Sequence, residues 1–157
     1  MNIKLIVVGK TDEDAISLLC DKYFTRIKRY INFEFIVIKD IKNTKNMSEA
    51  NQKKAEGEKI LPLIDSTDSL VLLDEKGLGF TSRKFANFIE KQQIASVKNL
   101  IFLIGGPYGF SEEVYKRANN KISLSEMTFS HQIIRLLFAE QLYRAFTIIN
   151  NESYHHD

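Results

Sequence analysis

Hydrophobic residues in this chain follow two alternating patterns. Short uninterrupted runs predict buried strands, and longer stretches in which hydrophobic residues recur every three or four positions predict helices. The predicted strands cover 3–8, 33–38, 70–73, 100–104 and 122–124, and the predicted helices cover 12–30, 48–63, 82–94, a short segment from 111, and 130–150. This alternation predicts a single-domain α/β protein with a mainly parallel sheet and helices on both faces.

Polar residues and glycines mark the predicted ends of several elements. Ser48 and Ser111 precede helical patterns, where a serine hydroxyl can accept a hydrogen bond from a backbone N–H group of the first turn. Gly77 and Gly79 predict a turn between strand 70–73 and the following helix. They do not complete a dinucleotide-binding fingerprint, because Ser82 stands where its third glycine would be.

The predicted helix 130–150 is hydrophobic over most of its circumference. A helix of this kind needs more than one surface to pack against. One face can lie on the sheet. Two interpretations of the remaining surface stay open: a twofold contact in a homodimer, or coverage by neighbouring helices of the same chain. The residues of this surface are Ile134, Phe138, Gln141, Ala145 and Ile148.

Composition narrows the class of protein. With 157 residues and 44% hydrophobic content, the chain has the size of one domain with its own core. The single cysteine, Cys20, excludes an internal disulfide. No hydrophobic run reaches the roughly 18 residues that a membrane helix needs, and residues 1–10 read as a strand, not as a secretion signal. We therefore expect a cytoplasmic protein with no membrane partner.

Charge and motifs exclude several functions. A net charge of +2 is low for a protein that binds nucleic acid by charge alone, so an RNA partner would have to be recognised by shape or assembly. No phosphate-binding loop and no serine or cysteine nucleophile motif occurs. His131 is isolated, and His155 and His156 have only Asp157 as a neighbouring carboxylate. The sequence therefore predicts no metal site.

Two turns rich in glycine or hydroxyl groups are the best candidates for a binding site. They cover 104–110 and 124–132, and each follows a predicted strand. Open parallel sheets bind ligands at the carboxyl ends of their strands. Gly105 and Gly106 have no Cβ atom, so we expect a flat ligand to lie against the main chain there. A tight turn without a ligand is the alternative interpretation.

Several motifs together resemble one protein family. They are the LIGGPYGF and LSEMT segments of these two turns, the His131-Gln132 pair, the EQLYRA segment at 140–145, and Tyr154-His155. In this combination the chain resembles the small bacterial SPOUT-class methyltransferases, which methylate ring nitrogen N3 of a pseudouridine in large-subunit ribosomal RNA. The resemblance extends from Val8-Gly9-Lys10 through Glu56-Gly57 to the C-terminal tail.

The resemblance implies one SPOUT domain over residues 1–157, with a C-terminal trefoil knot (the α/β knot) and a tail at 150–157. S-adenosyl-L-methionine would be the methyl donor, and 23S rRNA within the assembled 70S ribosome would be the substrate. The protein would be a homodimer in which the tail of one subunit completes the pocket of the other. Cofactor contacts would fall on Leu73, Gly105, Leu124, Ser125, Glu126, Met127, Thr128 and Phe129.

The resemblance also supplies candidate catalytic residues. Because the target imide nitrogen must lose a proton, we expect an acceptor among His155, His131 and Tyr154. Arg144 could bind a phosphate or the base, or could simply pair with Glu140 one helical turn away. Two other functions stay open: methylation of another rRNA or tRNA nucleotide, and RNA binding without catalysis by a domain of the same fold.

The chain departs from the family pattern at two places. Ser130 stands where a proline commonly precedes the motif's histidine. Its hydroxyl can cap the following helix, although the turn loses rigidity. His156 and Asp157 follow Tyr154-His155, where the family usually has a basic residue. One positive charge expected to face RNA is therefore absent from the tail at neutral pH.

Overall fold

The computed structural model describes residues 1–156, and its strands and helices alternate along the chain as the hydrophobic pattern predicts. The elements in chain order are β1 (Asn2–Val8), α1 (Asp14–Ile27), β2 (Asn32–Ile38), α2 (Glu49–Ile60), β3 (Ser69–Gly79), α3 (Ser82–Ile94), β4 (Asn99–Ile104), α4 (Glu112–Arg117), β5 (Asn120–Ser123) and α5 (Ile133–Ile149). Short 3-10 turns lie at Thr44–Asn46 and Leu61–Leu63.

The five strands form one parallel sheet in the order β2-β1-β4-β3-β5. In the centre of this sheet, Leu5 of β1 pairs with Phe35 of β2 and with Phe102 of β4. Because all strands run in the same direction, their carboxyl ends meet at a single edge. The prediction of a mainly parallel sheet is confirmed.

Helices cover both faces of the sheet, as predicted. Side chains alternate between the two faces along each strand. Leu5 and Val7 belong to a core formed with α1, α3 and α5, whereas Ile6 and Val8 belong to a second core formed with α2 and α4. Burial on both sides explains why the strands read as continuous hydrophobic runs.

The local signals at two helix starts are confirmed. The Oγ atom of Ser48 accepts a hydrogen bond from the backbone N–H of Asn51 at 3.1 Å. The Oγ atom of Ser111 accepts one from Val114 at 3.4 Å. These bonds satisfy donors that have no partner within the helix.

The predicted turn at Gly77 and Gly79 is wrong, because β3 continues as a strand to Gly79. A Cβ atom on Gly77 would lie 2.6 Å from the backbone nitrogen of Ile122. The pairing of β3 with β5 shifts register between Leu73 and Leu78. Gly77 therefore permits two backbones to approach each other closely, a role that spacing along the chain does not reveal.

The hydrophobic surface of α5 is covered in part by the same chain. Phe138 and Ala145 are buried in the core shared with α1 and α3. Both are therefore unavailable to a second subunit, and for these two residues the interpretation of coverage by neighbouring helices is correct. Ile134, Gln141 and Ile148 remain only partly buried.

α5 begins at Ile133, three residues later than expected. Ser130 nevertheless stabilises its start, because its Oγ atom accepts a hydrogen bond from the backbone N–H of Ile133 at 3.2 Å. Within residues 1–156, no helix has the length and hydrophobicity needed to cross a bilayer.

Candidate functional site

A cavity of about 570 Å³ opens at the edge of the sheet where β4, β5 and the first part of β3, residues 69–73, end. Its volume falls in the range of small-molecule sites, and its place at the sheet edge is where parallel α/β folds bind ligands. Three segments provide its walls: 73–76 after the first part of β3, 104–110 after β4, and 122–131 from β5 to the start of α5. The two turns singled out in the sequence are therefore brought together, with a third segment that was not expected.

The turn after β4 is tightly folded. Gly109 has a φ of +82°, which favours glycine, and its N–H donates to the oxygen of Gly106 at 3.2 Å. A Cβ atom on Gly105 would lie 2.9 Å from the Phe110 ring, and one on Gly106 would lie 2.8 Å from Oε1 of Glu56. The missing side chains therefore make room for Phe110 and Glu56, while the main chain of both glycines lines the cavity. That a flat ligand lies against this main chain stays a prediction.

Glu56 is a buried carboxyl group beneath this turn that sequence reasoning noted only as part of the family resemblance. It is 5% exposed, and it accepts a hydrogen bond from Gln52 Nε2 at 3.3 Å. Burial raises the pKa of this carboxyl, while hydrogen bonds from Gln52 and from the backbone of Gly106 act in the opposite direction. Glu56 therefore connects α2 to the floor of the cavity.

The turn after β5 is held by its own hydroxyl groups. Ser123 Oγ donates to the carbonyl oxygen of Ser125 at 2.7 Å, and Ser125 Oγ accepts from the N–H of Met127 at 2.9 Å. The side chains that follow are partly open to solvent, with Met127 74% exposed and Phe129 41% exposed. Phe129 is therefore not a core residue, and both side chains offer apolar surface at the cavity.

The segment after the first part of β3 supplies carboxylates. Asp74 accepts a hydrogen bond from Tyr115 through Oδ2 and another from the backbone N–H of Lys76 through Oδ1 at 2.8 Å. Glu75 accepts from Thr128 Oγ1 at 3.4 Å. Asp74 and Tyr115 were not among the candidates predicted from the sequence. The acidic pair Asp74-Glu75, directly after the hydrophobic run 70–73, was a usable signal for Asp74.

Most of the residues expected to contact a cofactor line this cavity. They are Leu73, Gly105, Leu124, Ser125, Met127, Thr128 and Phe129, together with the catalytic candidate His131. Glu126 is the one expected contact that is not among the lining residues. Leu73 is also a member of the core, at 9% exposure.

The other three catalytic candidates lie together elsewhere, around Glu140 of α5. Arg144 contacts Glu140 Oε1 through Nε at 3.1 Å and through Nη2 at 2.5 Å, and Tyr154 donates its hydroxyl to the same oxygen at 3.1 Å. Arg144 Nη1 lies 3.2 Å from His155 Nδ1, and the guanidinium carbon lies 4.7 Å from the centroid of the Tyr154 ring. None of these residues lines the cavity of the same chain.

Electrostatics fix the protonation of two members of this cluster. Burial, a hydrogen bond with Tyr23 and the charge of Glu140 raise the pKa of Tyr154 above its ordinary value. The hydrogen bonds to Glu140 raise the pKa of Arg144. Tyr154 therefore keeps its proton and Arg144 its charge at neutral pH, so both act as hydrogen-bond donors. The alternative that Arg144 pairs with Glu140 along the helix is also correct.

Arg135 is a second charged residue that the sequence analysis missed. It is fully buried, and it donates to the carbonyl oxygen of Val8 at 2.8 Å and to Thr11 Oγ1 at 3.0 Å. Burial lowers the pKa of its guanidinium. An arginine within the hydrophobic run of α5 was the available signal. Its contacts fix the loop that follows β1.

The remaining candidates are metal ligands and the last two residues of the tail. Among residues 1–156, no three His, Cys, Asp or Glu side chains come together as a metal site would require. Of the two tail residues that depart from the family pattern, His156 is exposed, and Asp157 lies outside the described residues.

Comparison with known proteins shows which family this chain is similar to. A family model described as a predicted SPOUT methyltransferase matches residues 1–155. The ribosomal RNA large subunit methyltransferase H of Christiangramia forsetii is 57% identical over 156 residues, which are 99% of this chain and 99% of that protein. The protein of the same name from Parabacteroides distasonis is 58% identical over 157 residues, covering both chains in full.

A solved structure supports the fold independently. A probable methylase family protein from Haemophilus influenzae Rd KW20 has a TM-score of 0.56 to this chain, with 15% identity over 96% of this chain and 66% of that one. At this identity the likeness concerns the arrangement of strands and helices alone.

Proposed function

Because this chain belongs to the SPOUT methyltransferase family, we propose that it transfers a methyl group from S-adenosyl-L-methionine to ring nitrogen N3 of a pseudouridine in 23S rRNA, on the assembled ribosome. The observation that carries the proposal is the full-length identity of 57% and 58% to proteins named ribosomal RNA large subunit methyltransferase H. The cavity at this edge of the sheet supplies a site of suitable size.

The residues around the cavity fit the chemistry of this cofactor. Its flat adenine needs apolar surface, which Leu73, Met127 and Phe129 provide, and its polar groups need hydrogen-bonding partners, which the backbone of the two turns provides. Asp74 and Glu75 add carboxylates suited to a cationic ligand. The residues that would hold it are Leu73, Gly105, Leu124, Ser125, Glu126, Met127, Thr128 and Phe129. When bound, it supplies a methyl group on a positively charged sulfur.

The main task of the protein is to align the target nitrogen with that methyl group. Correct positioning of two reactants can supply on the order of 7 to 11 kcal/mol. The rigid turns at the ends of parallel strands suit this task, since hydrogen bonds within the chain already fix Gly109 and Met127. Arg144, which keeps its charge, can donate hydrogen bonds to a phosphate or to a base oxygen.

We propose that His131 accepts the proton that leaves the target nitrogen. Tyr154 is unsuited, because its raised pKa keeps it protonated at neutral pH. His155 is less suited. Its Nδ1 accepts a hydrogen bond from Arg144, which can only donate, so the lone pair that would take the proton is occupied. His131 lies among the residues that line the cavity, so its imidazole is near the place where the cofactor would bind.

We further propose that two subunits share each site. The support is that Arg144, Tyr154 and His155 do not line the cavity of their own chain, whereas the family resemblance places them in the active site. The partly exposed residues of α5, Ile134, Gln141 and Ile148, would lie in the contact between subunits. A monomeric mass in solution at micromolar concentration would contradict this arrangement.

The remaining parts of the proposal follow from family membership. We propose that the chain forms a single SPOUT domain with a C-terminal trefoil knot, that residues 150–157 serve as the tail of the shared site, and that the protein works in the cytoplasm. Only the family resemblance leads us to expect the knot, because knots are rare in proteins.

The experiment that tests the proposal compares ribosomes from cells with and without this protein. We expect one pseudouridine-containing fragment of 23S rRNA to lose the mass of one methyl group in the deletion strain, and sequencing of that fragment locates the nucleotide. An unchanged fragment mass would contradict the activity. A mass change in another rRNA or tRNA fragment would keep the enzyme class and change the substrate. Calorimetry with S-adenosyl-L-methionine separates both outcomes from a non-catalytic RNA-binding domain, which would not take up the cofactor.

A further inference from the structure

Tyr115 of α4 lines the cavity and contacts two other parts of its wall. Its hydroxyl donates to Oδ2 of Asp74, in the segment after the first part of β3. Its ring packs edge-to-face on Phe110, in the turn after β4, with centroids 5.6 Å apart and an interplanar angle of 87°. The ammonium of Lys121 in β5 lies 5.5 Å from the centroid of the same ring. One side chain therefore contacts residues from β3, from the turn after β4 and from β5.

The contact with Asp74 fixes the conformation of the first wall. Oδ1 of Asp74 accepts from the backbone N–H of Lys76 at 2.8 Å, so the carboxylate holds the 74–76 segment with one oxygen and Tyr115 with the other. Burial and the hydrogen bond to Asp74 raise the pKa of the Tyr115 hydroxyl. The hydroxyl therefore remains a donor throughout the physiological pH range.

The contact with Phe110 extends to the second wall. Phe110 is 5% exposed, and its ring fills the space where a side chain on Gly105 would be. The Tyr115 hydroxyl also lies 3.8 Å from where a Cβ atom on Gly109 would be. A movement of Tyr115 would therefore be transmitted through Phe110 to the backbone of Gly105.

We propose that Tyr115 is a positioning residue for cofactor binding. It acts by holding the 74–76 segment of β3 and the turn at 104–110 at a fixed separation. This inference rests on the proposed function, since it assigns Tyr115 to the cofactor end of that site. Tyr115 acts through Asp74 and Phe110 and not on the reacting atoms. Its loss should raise the KM for the cofactor and leave kcat largely unchanged.

The test is isothermal calorimetry of the full-length protein with S-adenosylhomocysteine, the demethylated product. Tyr115→Phe keeps the ring and removes the hydroxyl, and we expect the Kd to rise about tenfold, the effect of one hydrogen bond to a charged group. Asp74→Ala should weaken binding as well. In the Asp74→Ala background, Tyr115→Phe should have no further effect, because the partner of its hydroxyl is already gone.

A matched control is available at Tyr30. Its hydroxyl also donates to a carboxylate, Glu152, at 2.8 Å, and it does not line the cavity. Tyr30→Phe should therefore leave the Kd for S-adenosylhomocysteine unchanged. If Asp74→Ala does not fold, Asp74→Leu, which has a similar volume and also lacks an acceptor, takes its place in the comparison. Hydrogen exchange at the Lys76 amide should also be faster in Tyr115→Phe than in the wild type when no ligand is present.

The outcomes separate this inference from the proposed function. An unchanged Kd in Tyr115→Phe would overturn the positioning role. So would a Tyr115→Phe substitution that weakens binding equally in the wild-type and the Asp74→Ala backgrounds, because the hydroxyl would then contact the ligand directly. A wild-type protein that methylates rRNA while Tyr115→Phe binds normally would remove only the inference. A wild-type protein that does not bind S-adenosylhomocysteine would remove both.

Discussion

Arg144 Nη1 lies 3.2 Å from His155 Nδ1, and this contact determines which tautomer the neutral histidine ring adopts. A guanidinium can only donate, so Nδ1 must be the acceptor, and the proton of the neutral ring lies on Nε2. Glu140 holds the same guanidinium from its other side. The three side chains therefore form an ordered series in which Glu140 orients Arg144, and Arg144 orients His155.

Substitution of the two histidines should lower kcat to different extents. We expect His131→Asn to lower kcat by about 10²- to 10⁴-fold, because the proposed proton acceptor is lost. His155→Gln should lower kcat less, because His155 contacts Arg144 and does not line the cavity of its own chain. The measurement is the initial rate of methyl transfer to ribosomes. A larger loss in His155→Gln than in His131→Asn would assign the acceptor role to His155.

Glu140→Gln should weaken catalysis without weakening cofactor binding. The amide offers one neutral oxygen in place of a carboxylate, so it holds Arg144 and Tyr154 less firmly, and we expect kcat to fall by about tenfold. Glu112→Gln is a matched control, because Glu112 also pairs with a cation one turn along a helix, Lys116 at 2.8 Å, but on a solvent-exposed surface. Steady-state rates and calorimetry with S-adenosylhomocysteine would check both expectations.

Gly105→Ala should destabilise the protein. The added methyl group would lie 2.9 Å from the Phe110 ring and 3.2 Å from the backbone oxygen of Gly109. We expect the free energy of unfolding to fall by about 1 to 3 kcal/mol, the usual cost of an overfilled core. Gly79→Ala is the control, since no atom lies within 4 Å of its added carbon. Urea denaturation of the two variants measures the difference, and equal stability would contradict the packing described for this turn.

Glu56 should make the stability of the protein depend on pH in the acidic range. Burial raises its pKa in the folded state, so the folded protein binds more protons than the unfolded chain above the ordinary glutamate pKa of about 4.3. The contribution of Glu56 to stability is therefore fully present below that pH and is lost as the pH rises through the raised pKa. Glu56→Gln should remove this fall, as followed by urea denaturation from acidic to neutral pH. An unchanged pH dependence would show that Glu56 titrates alike in both states.

Local patterns were sufficient to predict most of the elements. Helix α3 was predicted with its observed bounds, and Ser48 and Ser111 were predicted as helix caps, because a cap depends on residues three positions apart. The pairing of Glu140 with Arg144 was foreseen as an alternative for the same reason. Long hydrophobic runs likewise identified strands buried on both faces.

Contacts between distant parts of the chain were not predictable. The role of Gly77 depends on Ile122, and that of Tyr115 depends on Asp74, which is 41 positions away. The two turns of the site were recognised from their composition, yet the contact of Gly106 with the carboxylate of Glu56 could be known only once α2 was packed against the sheet. Neither periodicity nor spacing carries that information.

The cavity lies across three neighbouring strands, β4, β3 and β5. Hydrogen bonds between backbones hold adjacent strands about 4.8 Å apart whatever their side chains are. The spacing of the strands beneath the cavity is therefore set by the sheet, whereas the positions of the segments above them and the groups that meet a ligand are set by side chains. Substitutions in those segments can thus alter which ligand is preferred while the spacing of the strands stays constant.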